Sequence, residues 1–151
     1  MNAPLPEHLR QALANVTLDD KYSLKSGRAF MSGVQALVRL PMLQQERDAL
    51  AGKRTGALIS GYRGSPLGMV DQVIWKQGEK FKNAGIEFVP AINEELGATQ
   101  VLGTQRVESD PERTVDGVFG LWYGKGPGVD RAGDALKHGN AYGSSPHGGV
   151  L

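Results

Sequence analysis

An α/β fold built on a parallel sheet is predicted by three observations. Short apolar runs alternate with amphipathic segments along the chain, and 21 glycines gather mainly after residue 61, where such runs end. Cysteine is absent, so the fold must rest on a hydrophobic core rather than on disulfides. A length of 151 residues suffices for one such core and is too short for two of ordinary size.

Composition narrows the function classes. With 40% hydrophobic and 22% charged residues, the chain reads as a packed globular domain rather than a disordered or membrane protein. Seventeen basic residues against sixteen acidic ones leave a net charge of +1, which gives no general attraction to nucleic acid. Without cysteine there is no Cys nucleophile, no thiolate metal site and no iron-sulfur cluster held by this chain alone. Met1 to Leu13 mixes proline, charge and apolar residues without a continuous apolar stretch, unlike a secretory signal or membrane span, so a cytoplasmic location is expected.

The elements follow in order. Residues 1–19 read as an N-terminal arm with one short helical patch, and 20–151 as the domain. From Ser26 the spacing of Phe30, Val34, Leu37 and Val38 predicts a one-faced helix, which Pro41 is expected to kink or restart before Met42 to Leu50. Gly56 to Ser60, closed by Gly61, reads as a buried strand. A helix carrying Met69, Val73, Ile74 and Trp75 should follow Pro66 and end at Asn83-Ala84-Gly85. Ile86 to Val89 predicts a second strand, and Asn93 the cap of a helix through Gln105. Val115 to Leu121 predicts a third strand and Val129 to Lys137 a further helix. Gly149-Val150-Leu151 opens apolar where the sequence stops, from which a domain truncated at its C-terminus is expected. Strands alternating with helices imply parallel pairing, with helices on both faces.

Ligands of open parallel sheets bind beyond the carboxyl ends of the strands, which directs attention to three loops. The first, Gly61-Tyr62-Arg63-Gly64-Ser65-Pro66-Leu67-Gly68, allows close backbone approach to a ligand at its glycines and places Ser65 as a helix cap. The second opens a helix with Asn93-Glu94-Glu95 directly after a strand. Helix-dipole stabilisation of about 0.3 to 1 kcal/mol per carboxylate accounts for that pair by itself. The third, Gly120 to Gly128, fails as a phosphate loop because its glycine-to-lysine spacing is one residue short and Gly126 stands where Ser or Thr belongs. No dinucleotide fingerprint, helical metal-ligand spacing or serine-hydrolase elbow is present. His138 and His147 stand nine apart, which makes no metal site.

The order of Gly61-Tyr62-Arg63-Gly64-Ser65-Pro66, then Asn93-Glu94-Glu95-Leu96-Gly97-Ala98 with Gly103, then Lys137-His138-Gly139-Asn140 resembles the 2-oxoacid:ferredoxin oxidoreductases of the long single-chain indolepyruvate type. The resemblance covers residues 20–151 and points to the family's pyrimidine-binding domain. It implies oxidative decarboxylation of a 2-oxoacid to an acyl-coenzyme A, with electrons passing to ferredoxin. Thiamine diphosphate would be shared with a diphosphate-binding domain of the same or another chain, within a homodimer. Magnesium and iron-sulfur clusters would lie outside this chain.

The resemblance also assigns residues. The family loop commonly reads Gly-Tyr-Pro-Gly-Thr-Pro, so Gly64 and Ser65 fall at the cofactor and Ser65 at the oxoacid. Arg63 departs from the usual proline and places a cation where it could meet a substrate carboxylate. Counting back from Gly103 selects Glu94 as the carboxylate on the pyrimidine nitrogen, whereas aligning on Gly97-Ala98 selects Glu95. Such a carboxylate favours the aminopyrimidine tautomer able to remove the thiazolium proton. His138 is a weaker catalytic assignment, reaching the substrate from the end of the third strand. Two other readings share the frame: a non-catalytic binding or assembly domain, and a flavodoxin-like nucleotide-binding module.

Overall fold

A computed structural model describes residues 4–64 and 67–151 of the chain. Its centre is a four-stranded, wholly parallel sheet in the order β2-β1-β3-β4, with β1 at Thr55–Gly61, β2 at Ile86–Phe88, β3 at Gly117–Tyr123 and β4 at Gly149–Val150. In β1 the odd positions Ala57 and Ile59 face one side, as do Phe119, Leu121 and Tyr123 of β3. The even positions face the other side, as the two-residue period of a strand requires. Parallel strands are expected to be covered on both faces, and these are.

The first face is covered by α3 (Gly33–Leu50), α4 (Gly68–Lys76) and α5 (Gly78–Asn83), whose Val38, Val70, Ile74 and Phe81 complete the main core with Tyr22 of α2 (Asp20–Ser23). The second face takes α6 (Glu94–Thr104), backed by α7 (Gly126–Arg131) and α8 (Gly133–Tyr142), with Ala98, Ala132 and Ala135 packed beside Trp122. Small residues bring α6 close to the sheet. A Cβ on Gly97 would stand 3.2 Å from the Ala91 side chain and 3.3 Å from both Gly61 Cα and Ser60 Oγ. Gln105, at the end of α6, bridges two strands: its Nε2 donates to the Val118 carbonyl at 2.9 Å and its Oε1 accepts the Gly149 amide at 2.8 Å.

Several local expectations are met. Asn93 caps α6, its side-chain oxygen accepting the Leu96 amide at 2.8 Å, and Gly85 ends α5 with a positive φ of 67°. The arm carries α1 (Glu7–Ala14), which buries none of its residues, and Tyr22 is the first side chain to enter the core.

Four expectations are corrected. The helix expected from Ser26 begins only at Gly33, and Phe30 lies before it, fully exposed. The single helix expected after Pro66 as far as Asn83 is two, α4 and α5. Pro41 does not restart its helix: α3 runs as one element from a Ser32 capping box through to Leu50. Interior proline costs about 3 kcal/mol, and the burial of Val38 and Pro41, with Met42 packed against the core, offsets it. The single helix expected over Val129 to Lys137 is two, joined at the fully buried Ala132. Among the described residues, no helix is long and apolar enough to cross a membrane.

Candidate functional site

The carboxyl ends of β1, β2 and β3 are tied into one edge by main-chain contacts. Hydrogen bonding between β2 and β1 continues past the strands, with the Val89 amide donating to Ile59 at 3.0 Å and the Ala91 amide to Gly61 at 3.0 Å. The buried Ser60 hydroxyl donates to the Val89 carbonyl at 2.8 Å. The loop into α6 is therefore fixed on the sheet, which sets where the first turn of α6 stands.

Glu94 is the first residue of that turn. Its carbonyl accepts the Trp122 indole N–H at 3.1 Å, which ties it to the end of β3. Its side chain lies across the buried Gly128 of α7, where an added Cβ would stand 2.5 Å from Glu94 Cγ and 2.9 Å from Oε1. Gly128 is thus the cradle that lets the carboxylate lie between two helix starts. Glu94 is half-buried there, whereas Glu95 is exposed. Of the two, Glu94 is the one packed against α7.

Arg63 and Gly64 lie in the loop after β1. The Arg63 Nε donates to Asp71 Oδ2 at 2.9 Å, and its guanidinium stacks on Trp75 with 4.6 Å from the carbon to the ring centre. Gly64 faces the Lys125 stem, since a Cβ on it would lie 3.8 Å from Lys125 Cε. Ser65 and Pro66 lie outside the described residues. The residue preceding the first turn of α4 is Leu67, without a side-chain cap.

His138 is not brought to this edge. It sits midway along α8, its Nδ1 3.4 Å from Asp134 Oδ2, stacked on Tyr142 with 5.9 Å between ring centres. The neighbouring Gly139 meets Leu102 of α6, eight residues beyond Glu94 and so about 12 Å down the helix axis. The expected approach from the end of the third strand is therefore corrected: α8 descends from that edge toward the amino ends of the strands. There Arg106, just past α6, stacks on Tyr142 at 4.6 Å.

Sequence reasoning missed the group that organises the edge. Asp71 is fully buried on α4, one side-chain oxygen accepting Arg63 and the other the Tyr123 hydroxyl. Burial first, then the Asp71 hydrogen bond and charge, push the Tyr123 pKa well above its ordinary 10.0, so the phenol stays a donor. The available signal was an aspartate between Val70 and Ile74, on the apolar side of a helix. Among the described residues, no group of three or more His, Cys, Asp or Glu side chains is placed to hold a metal.

Tyr123→Phe should cost about 1 to 3 kcal/mol by removing a donor from a buried carboxylate. The raised pKa also sets a sign. The hydroxyl's contribution is fully present below pH 10.0, the unfolded value, and is lost as pH climbs toward the folded one. Urea unfolding at about pH 9 and about pH 11 should thus show a steeper alkaline loss in the wild type than in the variant. Equal losses would contradict the buried pairing.

The site class is that of an open, parallel α/β sheet with chemistry-bearing loops at its carboxyl edge. No family model matches this chain, and no curated protein or solved structure does so.

Proposed function

We propose that this chain is the pyrimidine-binding part of a thiamine-diphosphate-dependent 2-oxoacid:ferredoxin oxidoreductase of the indolepyruvate type. The observation that carries the reading is Glu94: a half-buried carboxylate at the first residue of α6, seated over Gly128 at the carboxyl edge of a parallel sheet. The order of the loops that resemble the family supports it. Thiamine diphosphate, when bound, supplies an acidic thiazolium carbon able to attack a 2-oxoacid carbonyl.

The residues present fit one end of that cofactor. Glu94 is a hydrogen-bonding carboxyl held in position by its own backbone and by the Gly128 cradle, which is what a pyrimidine ring nitrogen requires of the protein. Its role is to hold a proton at that nitrogen and so set the basicity of the amino group beside it. Gly64, with Lys125 across it, leaves the backbone of the β1 loop open to close approach. Ser65 is proposed for the oxoacid end by resemblance. His138 carries no step in this scheme, since α8 holds it away from Glu94.

A diphosphate-binding domain would complete the cofactor site, with magnesium and iron-sulfur clusters held there or further along the electron path. Coenzyme A and ferredoxin are the proposed partners of the whole assembly, a homodimer in the cytoplasm.

The native assembly purified through a tag on this chain should reduce a viologen dye when given coenzyme A and an aryl or branched 2-oxoacid. Failure with every 2-oxoacid tried, in an assembly that is otherwise intact, would overturn the reading.

A further inference from the structure

Arg63 is a loop arginine held on two sides before any ligand arrives. Its Nε donates to Asp71 Oδ2 at 2.9 Å, and the Trp75 ring lies under its guanidinium at 4.6 Å. The Asp71 side chain is 1% exposed and that of Arg63 57% exposed, so the contact anchors a surface group to a buried one. Tyr123 completes the anchor, its hydroxyl donating to the other Asp71 oxygen from the last residue of β3. Fixing a long side chain on binding ordinarily costs conformational entropy. Here Asp71 and Trp75 have already restricted it.

A second cation lies against the same loop. Lys125, exposed after β3, lays its stem against Gly64. Charge and geometry are divided between the two. Arg63 and Asp71 formally cancel, so Lys125 supplies the surplus positive charge. Arg63 supplies the fork, because its terminal nitrogens carry four N–H donors beyond the one given to Asp71.

We propose that Arg63 and Lys125, flanking Gly64, form an oxyanion-binding subsite for a carboxylate, and that Asp71 and Tyr123 are positioning residues holding the Arg63 fork for it. Its identification as the carboxylate of a 2-oxoacid rests on the function proposed above; the subsite rests on the geometry alone. Asp71 and Tyr123 touch no ligand and act only through Arg63.

The test is a titration of the isotope-labelled 151-residue chain at constant ionic strength, following the Gly64 amide and the Trp75 indole N–H by NMR. Phenylpyruvate and inorganic diphosphate are added in separate arms. Saturable shifts at both resonances with phenylpyruvate are expected. Arg63→Gln and Lys125→Gln should each weaken binding about tenfold. Arg63→Lys, which keeps the charge and loses the fork, should weaken it nearly as much as Arg63→Gln.

Tyr123→Phe, checked for native amide dispersion, should weaken phenylpyruvate several-fold and uncouple the Trp75 response from that of Gly64. A change of stability alone would do neither. No response to phenylpyruvate, or one unchanged in Arg63→Gln and Lys125→Gln, overturns the subsite. Saturation by diphosphate only overturns the carboxylate assignment. No cofactor is present in the titration, so its failure is distinct from failure of the thiamine reading, which would show as absence of that cofactor from the native assembly.

Discussion

Replacing Glu94 by glutamine is expected to lower 2-oxoacid-dependent dye reduction by the native assembly roughly a hundredfold to ten-thousandfold, the range of a lost acid-base group. Glutamine keeps the size of the side chain and its fit over Gly128 but could not exchange a proton with the pyrimidine nitrogen in the proposed role. The fold should survive, because the contacts that place residue 94 belong to other atoms. The α6 cap is made by Asn93, and the bond from the Trp122 indole goes to the Glu94 carbonyl. Glu95→Gln is the internal comparison: Glu95 is exposed, and activity should change less than about twofold, as for an exposed first-turn carboxylate. A larger loss in Glu95→Gln than in Glu94→Gln would reverse the assignment.

A large loss of stability is expected from Gly61→Ala. A Cβ at residue 61 would stand 2.5 Å from the Tyr123 carbonyl oxygen and 2.7 Å from two carbons of its ring. Neither neighbour can yield cheaply. The carbonyl belongs to the β1–β3 pairing, in which Gly61 is opposite Tyr123, and the ring is buried with its hydroxyl on Asp71. Overpacking of this kind costs about 1 to 3 kcal/mol, and a main-chain clash belongs at the upper end. Gly103→Ala is the contrast: nothing lies within 4 Å of a Cβ on this exposed residue of α6. Alanine there should be neutral to stabilising by up to about 1 kcal/mol. Urea denaturation of the three proteins would measure both, and a Gly61→Ala chain as stable as the wild type would refute the close approach.

The frame was legible because its signals are local. Apolar runs closed by Gly61 and preceded by Gly85 mark the start and finish of strands, and Asn93 marks a cap, each through a backbone preference that acts within a few residues. Strand β3 lies two residues later than expected, at Gly117–Tyr123 rather than Val115 to Leu121, and so takes in Trp122 and Tyr123. In the fold they do different work on opposite faces: Trp122 bonds to Glu94 and Tyr123 to Asp71.

What sequence could not supply was the pairing of distant residues. Asp71 and Tyr123 are 52 apart in the chain, and Gly128 meets a Glu94 that lies 34 positions before it. The misplacement of His138 has the same origin. Its neighbours in sequence resemble a site motif, yet the helix break at Ala132 turns α8 down the outside of α6. The helix continues through Pro41 because propensity acts residue by residue, whereas the burial of Val38 and Pro41 depends on tertiary packing.

The central claim is that the edge built around Glu94 holds the pyrimidine end of thiamine diphosphate. Its most direct test is cofactor analysis of the native assembly isolated through this chain, by oxidation of released thiamine diphosphate to its fluorescent thiochrome. About one thiamine diphosphate per chain is predicted. A yellow assembly containing flavin without thiamine, or one with neither cofactor, would contradict the account.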